Sequence, residues 1–297
     1  MSGYVGRFAP SPTGPLHEGS MLVALASWLD AQAHRGSWII RIEDLDQERC
    51  IKGVDQLILK QLSDCLLFSS QPVQWQSQRT QGYESAFESL LNEGEIYPCR
   101  CSRAQILTQI ATNERADQIN RNQSKIYPGT CRSVVLPPNV SWNTPSTAWR
   151  FKTKHGVIKW MDRRLGEQRQ DVRQEVGDFV VRRADAVWAY QLSVVVDDAQ
   201  SGVTHIVRGA DLVDNTARQI QLQSALGFKL PQYLHTKLIL GANGEKLSKQ
   251  NGALPANTRY PLECLNAAAQ SLGLRAQSSN LQDALQSWTR EWSDLYA

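Results

Sequence analysis

Residues 4–8 carry the apolar pattern of a short strand, and a proline-rich loop follows at 10–15. Glu18–Ala33 then repeats apolar positions at helical spacing until Gly36 interrupts it. Ser37–Ile42 predicts a second, buried strand, so the chain opens with the strand, loop, helix and strand from which parallel sheets are built. Helical periodicity continues at 54–66 and 83–91, the latter placing Tyr83, Phe87, Leu90 and Leu91 on one core-facing stripe. From 99 to 147 the pattern turns polar and then rich in Pro, Ser, Asn and Thr, which predicts an insertion with an irregular connection. Residues 149–152 and 157–161 read as paired strands, and 178–183 with 187–190 as a hairpin around 184–186. A strand at 203–208, a helix at 211–226 and a short apolar stretch at 238–240 indicate that the sheet resumes after the insertion.

At 297 residues, with 41% hydrophobic and 21% charged positions, the chain can bury a substantial core in one large or two ordinary domains. The net charge of +3 does not separate a nucleic-acid binder from any other enzyme, so a basic surface would have to be local. The N-terminus lacks a basic segment leading into an apolar one, and the apolar run at 21–29 is too short to span a bilayer, so a cytoplasmic protein is expected, with no membrane partner. Six cysteines are too few for a secreted disulfide framework. Cys50, Cys65 and Cys264 are scattered and read as packed thiols, whereas Cys99, Cys101 and Cys131 cluster.

Two segments carry candidate chemistry. The loop at 10–20 leads into a helix start near His17, where unpaired amides and the helix dipole favour phosphate. Gly19 permits close approach of a flat ligand, and His17 can donate to a phosphoryl oxygen. By itself such a segment is more often a plain turn. The glycine-bounded loop at 244–252 holds Lys246, Ser248 and Lys249 and could clamp a polyphosphate, although a solvated lysine pair is the commoner meaning. No Walker motif, dinucleotide fingerprint or nucleophile elbow occurs. Cys99, Cys101 and Cys131, with Tyr127 or His155 as a fourth donor, could equally pack as thiols or hold a metal.

In order along the chain come Arg7 to Gly19, then Arg41, Glu43, Asp44 and Asp46, then His205, Arg208 and Asp211, then Lys246 to Gln250. Together these strongly resemble the glutamyl branch of the class I aminoacyl-tRNA synthetases over roughly residues 3–255. His17 to Ser20 stands where that class carries His-Ile-Gly-His, and Lys246 to Gln250 where it carries Lys-Met-Ser-Lys-Ser. Ser20, Leu247 and Gln250 depart from those signatures. The resemblance implies an α/β fold, with a Rossmann-type nucleotide-binding parallel sheet split between 1–97 and 186–250. It also implies an inserted α+β zinc-bearing subdomain at 98–185 and a short helical C-terminal segment at 251–297. Its chemistry would be activation of glutamate by ATP with Mg2+, catalysed by His17, Lys246 and Lys249. Arg7, Ala9, Ser11, Glu43, Tyr190 and Arg208 would surround glutamate. His17, Gly19, Ser20, Ser248 and Lys249 would hold ATP. One structural zinc ion would sit on Cys99, Cys101, Cys131 and Tyr127, with His155 as the alternative fourth ligand.

Little chain follows Gln250, so no anticodon-reading domain is expected, and this makes the sequence similar to the glutamyl-queuosine tRNA(Asp) synthetases. That likeness implies tRNA-independent activation and transfer of glutamate to queuosine at the wobble position of tRNA(Asp). The anticodon stem-loop would be the RNA partner and the protein a monomer. Arg163, Arg164, Arg173, Arg182 and Arg183 are the candidate phosphate contacts. A short glutamyl-tRNA synthetase charging a tRNA 3′ end, or a non-catalytic amino-acid or RNA-binding regulator, are the alternatives.

Overall fold

The computed structural model describes residues 3–112, 126–134, 142, 144, 146–239, 241 and 254–297. The loop bearing Lys246, Ser248, Lys249 and Gln250 lies outside the described residues. Strands β1 (Val5–Phe8), β2 (Ser37–Ile42) and β3 (Gln74–Trp75) pair in parallel, joined by α1 (Glu18–Ala33) and α2 (Val54–Asp64). After α3 (Thr80–Asn92) come β4 (Ile96–Cys99), α4 (Arg103–Thr112) and β5 (Ala148–Phe151). Next follow β6 (Ile158–Asp162), β7 (Gly166–Gln170), the single turn α5 (Val172–Glu175) and β8 (Val180–Arg182). The chain continues through α6 (Tyr190–Gln200), β9 (His205–Gly209), α7 (Val213–Ala225) and β10 (Gln232–Thr236), and closes with α8 (Pro261–Leu272) and α9 (Leu281–Tyr296).

β10 pairs in parallel with β9 on one side and with β6 on the other, and β7 returns antiparallel along β6. The β1 and β9 edges meet where the Thr204 amide donates to the Val5 carbonyl at 2.9 Å and the Val5 amide to Thr204 Oγ1 at 2.9 Å. Strand order therefore runs outward from β1 through β2 to β3, and in the other direction from β9 through β10 to β6. Such a reversal opens a crevice beyond the carboxyl ends of β1 and β9, the place where open parallel sheets bind ligands. A separate antiparallel sheet, β4-β5-β8, packs with α3 and α6 around Phe87, Trp149, Phe151 and Trp188.

Helix α1 is apolar nearly all round, because its other faces meet α8 and α9 while it lies on β1, β2 and β9. It ends just before Gly36, where an added Cβ would stand 2.6 Å from the Tyr4 carbonyl oxygen, so the return into β2 requires glycine. Asp30, fully buried on α1, accepts from Tyr4 Oη at 2.5 Å, from both Nη atoms of Arg163 at 2.7 and 2.8 Å, and from Trp292 Nε1 at 2.9 Å. One carboxylate thereby ties together the first strand, the β6–β7 turn and the last helix. Arg163 is accordingly an internal tie, which corrects its reading as a phosphate contact.

Three other expectations change. The stretch at 149–152 does not pair with 157–161: β5 lies between β4 and β8, whereas β6 joins β7 and β10. The hairpin around 184–186 reduces to one bridge, Arg182 with Trp188, because Tyr190 already begins α6. The strand in the final part of the sheet is β10, ahead of the apolar stretch at 238–240. Among the described residues no helix is long and apolar enough to cross a membrane.

Candidate active site

The crevice at the sheet reversal is a cleft of about 690 Å³. β1 and the loop after it contribute Arg7, Ala9 and Ser11; the start of α1 contributes His17, Gly19 and Ser20; β2 runs into Glu43; and α6 and β9 supply Tyr190 and Arg208. The structure thus brings into one cleft the described residues that the sequence singles out for glutamate and ATP.

His17 caps α1: its Nδ1 accepts from the Gly19 amide at 3.1 Å. An accepting Nδ1 places the proton of the neutral ring on Nε2, the nitrogen that can donate to an oxyanion. The first turn of a 16-residue helix points at the same space, adding its dipole to that donor.

Three buried arginines stand beneath the cleft with different counter-charges. Arg41, fully buried, meets Asp198 at 2.7 Å, Glu43 at 3.5 Å and Asp197 at 3.7 Å. Arg7 reaches Asp198 through Nε at 3.2 Å. Burial works to raise the Asp198 pKa, yet the guanidinium groups of Arg41 and Arg7 hold it below the usual carboxylate range. Asp197 next to it accepts from Gln76 at 2.7 Å, Arg79 at 2.5 Å and Tyr83 at 2.8 Å, which fixes α6 against α3. Glu43 is the carboxylate left at the cleft wall, and burial pushes its pKa up to about 7 against the pull of Arg41 and Arg7.

Arg208 differs from both. It is 3% exposed, and its partners are neutral: Nε donates to His235 Nε2 at 3.0 Å, Nη1 to Gln219 Oε1 at 2.7 Å and Nη2 to Thr216 Oγ1 at 2.8 Å. No carboxylate pairs with it among the described residues. Because guanidinium only donates, His235 must present a bare Nε2 and carry its proton on Nδ1, which faces Asp162 Oδ2 at 2.6 Å. Burial lowers the His235 pKa, with Asp162 opposing, so the ring stays neutral. Among the described residues Arg208 is thus a buried cation without a counter-charge, an arrangement that favours an anionic ligand.

The cysteine cluster lies apart from this cleft, at the end of β4. Cys99, Cys101 and Cys131 hold their sulfur atoms within 4.8 Å of one another, and Cys101 Sγ stands 3.5 Å from Cys131 Sγ. Tyr127 Oη is 3.4 Å from Cys99 Sγ and 3.8 Å from Cys101 Sγ. Tetrahedral ligands on bonds near 2.3 Å stand roughly 3.8 Å apart, so the four donors fit one four-coordinate ion. Tyr127 Oη stands beside the three sulfur atoms, whereas His155 is exposed and absent from the cluster.

The remaining candidate arginines are mostly occupied. Arg164 donates to the His235 carbonyl, Arg173 Nη1 to Asp178 at 3.3 Å, and Arg183 Nη1 to Asp46 at 2.6 Å. Arg182, 5% exposed, donates to the Trp142 carbonyl at 2.8 Å with its guanidinium over the Trp142 and Trp188 rings, so it too is interior and not an RNA contact. Sequence reading placed Arg41 in a motif without giving it a role and passed over Asp198, Gln219, His235 and Asp162, since buried charge and polar residues look like surface in a sequence.

A parallel sheet thus opens at its reversal onto a capped helix start and onto an arginine without a counter-charge among the described residues. The family model "tRNA synthetases class I (E and Q), catalytic domain" matches residues 4–263. The chain belongs to this family and is a ligase. Glutamyl-Q tRNA(Asp) synthetase of Albidiferax ferrireducens is 49% identical over 311 residues, covering 97% of this chain and 98% of its own. The protein of the same description from Leptothrix cholodnii is 49% identical, covering 97% of each. A crystal structure of a glutamate tRNA ligase from Elizabethkingia meningosepticum in complex with its amino acid superposes with a TM-score of 0.72 at 28% identity, covering 84% of this chain. The chain spans about half of that ligase, 52% of its length. A glutamate-tRNA synthetase from Elizabethkingia anophelis, of which 66% is covered, shares the fold with a TM-score of 0.78 at 23% identity.

Proposed function

We propose that this ligase condenses glutamate with ATP to glutamyl-adenylate and pyrophosphate, without tRNA, and then transfers the glutamyl group to queuosine at the wobble position of tRNA(Asp). The observation that carries the amino-acid assignment is Arg208, buried among neutral partners. Of the two substrate carboxylates, the one that attacks the α-phosphorus loses its charge on reaction, so a strong clamp on it would stabilise the ground state. Arg208 therefore serves the side-chain carboxylate, which stays charged throughout. Glu43 accepts from the substrate ammonium, and Arg7, Ala9, Ser11 and Tyr190 complete the cradle.

The attacking carboxylate is already ionised, so no general base is needed; its oxygen bonds to the α-phosphorus as the bond to pyrophosphate breaks. His17 Nε2 and the first turn of α1, with Gly19 and Ser20, lie on the side where phosphoryl charge develops. Lys246 and Lys249, with Ser248, would neutralise the pyrophosphate, and Mg2+ would accompany ATP. The acceptor hydroxyl of the RNA then attacks the acyl carbonyl and AMP leaves. The acceptor assignment is carried over from relatives of the same length that bear that name. In this reading the enzyme is a cytoplasmic monomer, and Cys99, Cys101, Tyr127 and Cys131 hold one structural zinc ion within a small insertion at 98–185.

Glutamate-dependent ATP–pyrophosphate exchange without tRNA tests the first step, and its absence would refute the enzyme reading. Transfer of labelled glutamate to tRNA with and without queuosine tests the second. Equal labelling of both pools refutes the acceptor and favours the 3′ end.

A further inference from the structure

Gln219 has its side-chain oxygen on Arg208 Nη1 at 2.7 Å, and because guanidinium has no acceptor, the amide cannot be flipped. Its nitrogen is thereby turned away from Arg208. That nitrogen is buried and has no hydrogen-bond partner among the described residues; Tyr190 begins α6, which packs against α7 and so brings the phenol to the same side of Arg208 as Gln219. Gln219 is 1% exposed on α7, and Tyr190 lines the cleft. A buried amide donor requires an acceptor, and the phenol oxygen is the one at hand.

We propose that Gln219 is the positioning residue that makes this receptor select a carboxylate over a carboxamide. Its oxygen fixes the guanidinium of Arg208, and its amide, directed at the Tyr190 oxygen, commits the Tyr190 hydroxyl to donate into the cleft. The ligand then meets donors only: the spare N–H groups of Arg208 and the O–H of Tyr190. A carboxylate accepts from all of them. A carboxamide of the same shape brings an NH2 group against donors and leaves polar hydrogens unpaired, which is the kind of mismatch that gives steep discrimination. His235 supports the arrangement from behind, since its bare Nε2 keeps Arg208 in plane.

The inference rests on the glutamate reading above and is tested with glutamate and glutamine in parallel ATP–pyrophosphate exchange. Gln219→Glu keeps an oxygen on Arg208 but offers a second acceptor to Tyr190, releasing the phenol oxygen toward the cleft and matching the charge of Arg208. The ratio of kcat/KM for glutamate over glutamine should fall at least about a hundredfold in this variant, and about tenfold in Gln219→Met, which removes both contacts. The ratio is independent of the fraction of folded enzyme, so a poorly folding variant still reports. Ratios within threefold of the wild type in both variants would overturn the role of Gln219 while leaving glutamate activation intact. Wild-type enzyme that exchanges with neither amino acid, or equally with both, would overturn the glutamate reading and this inference with it.

Discussion

Replacing Glu43 by Gln should make the empty enzyme more stable and inactive at once. Glu43 is only 10% exposed in its side chain, and its pKa in the folded protein is about 7 against 4.5 for the free side chain. A folded-state value above the unfolded one means that folding favours the protonated form. That contribution is full below pH 4.5 and is lost as the pH rises through 7, so at pH 8 the ionised Glu43 opposes folding. About 2.5 pKa units at 1.36 kcal/mol each put the opposition at roughly 3 kcal/mol. A permanently neutral glutamine escapes it. For a chain of this size that corresponds to a gain in Tm of about 5 °C at pH 8. Thermal melts of variant and wild type, side by side without substrate, should show the gain shrinking below pH 7 and vanishing near pH 4.5. The same variant should lose glutamate-dependent exchange, because the substrate ammonium no longer meets a carboxylate. A gain that does not change with pH, or a loss of stability at pH 8, would refute the reasoning.

The same group sets the pH dependence of substrate binding: KM for glutamate should rise about tenfold per pH unit below 7 as Glu43 takes up its proton, with kcat changing less, and a flat KM between pH 5.5 and 8.5 would count against Glu43 as the ammonium partner. Purified protein should contain one zinc ion per chain by metal analysis, and chelation or Cys131→Ser should lower Tm without moving KM for glutamate, since the cluster stands apart from the cleft. Trp292→Phe should destabilise the fold by about 1–3 kcal/mol in urea unfolding, because the buried Asp30 carboxylate loses the indole donor at 2.9 Å; a change within a few tenths would mean the tie is redundant.

The first half of the sheet was legible because its signals are local. The strand, proline loop, helix and strand at the N-terminus are marked by apolar spacing and by the glycine at 36, and the helix fell at the predicted Glu18–Ala33. Helix α6 and strand β10 were not legible, and for the same physical reason. The α6 sequence places Val194, Val195 and Val196 together, a run with strand preference, and follows them with Asp197 and Asp198, which read as exposed. Both aspartates are buried, and the helix is held by the arginines, glutamine and tyrosine that reach them from elsewhere in the chain. β10 hides His235 and Thr236 in the sheet interior, where hydrogen bonds replace apolar packing. Hydrophobic patterning sees only residues whose burial follows from their own chemistry; residues buried by a distant partner are invisible to it.

The three arginines beneath the cleft carry that argument to function. Arg7, Arg41 and Arg208 are the same residue type on parallel strands, of which only Arg7 and Arg208 line the cleft, and nothing in their local hydrophobic pattern distinguishes a structural cation from a receptor. Topology does. Arg41 receives two aspartates from α6 and the glutamate at the end of its own strand, so its charge is spent in holding the fold. Arg7 shares one of those aspartates, which orients it through Nε. Arg208 lies across the sheet reversal, beyond the reach of either aspartate, and meets neutral atoms from α7 and β10 instead. The position of the two aspartates on a helix that patterning could not see is therefore what leaves one arginine uncompensated. A buried cation at the carboxyl end of a parallel strand, without a counter-charge among the described residues, is a demand for an anion, and in the proposed function the side-chain carboxylate of glutamate meets it.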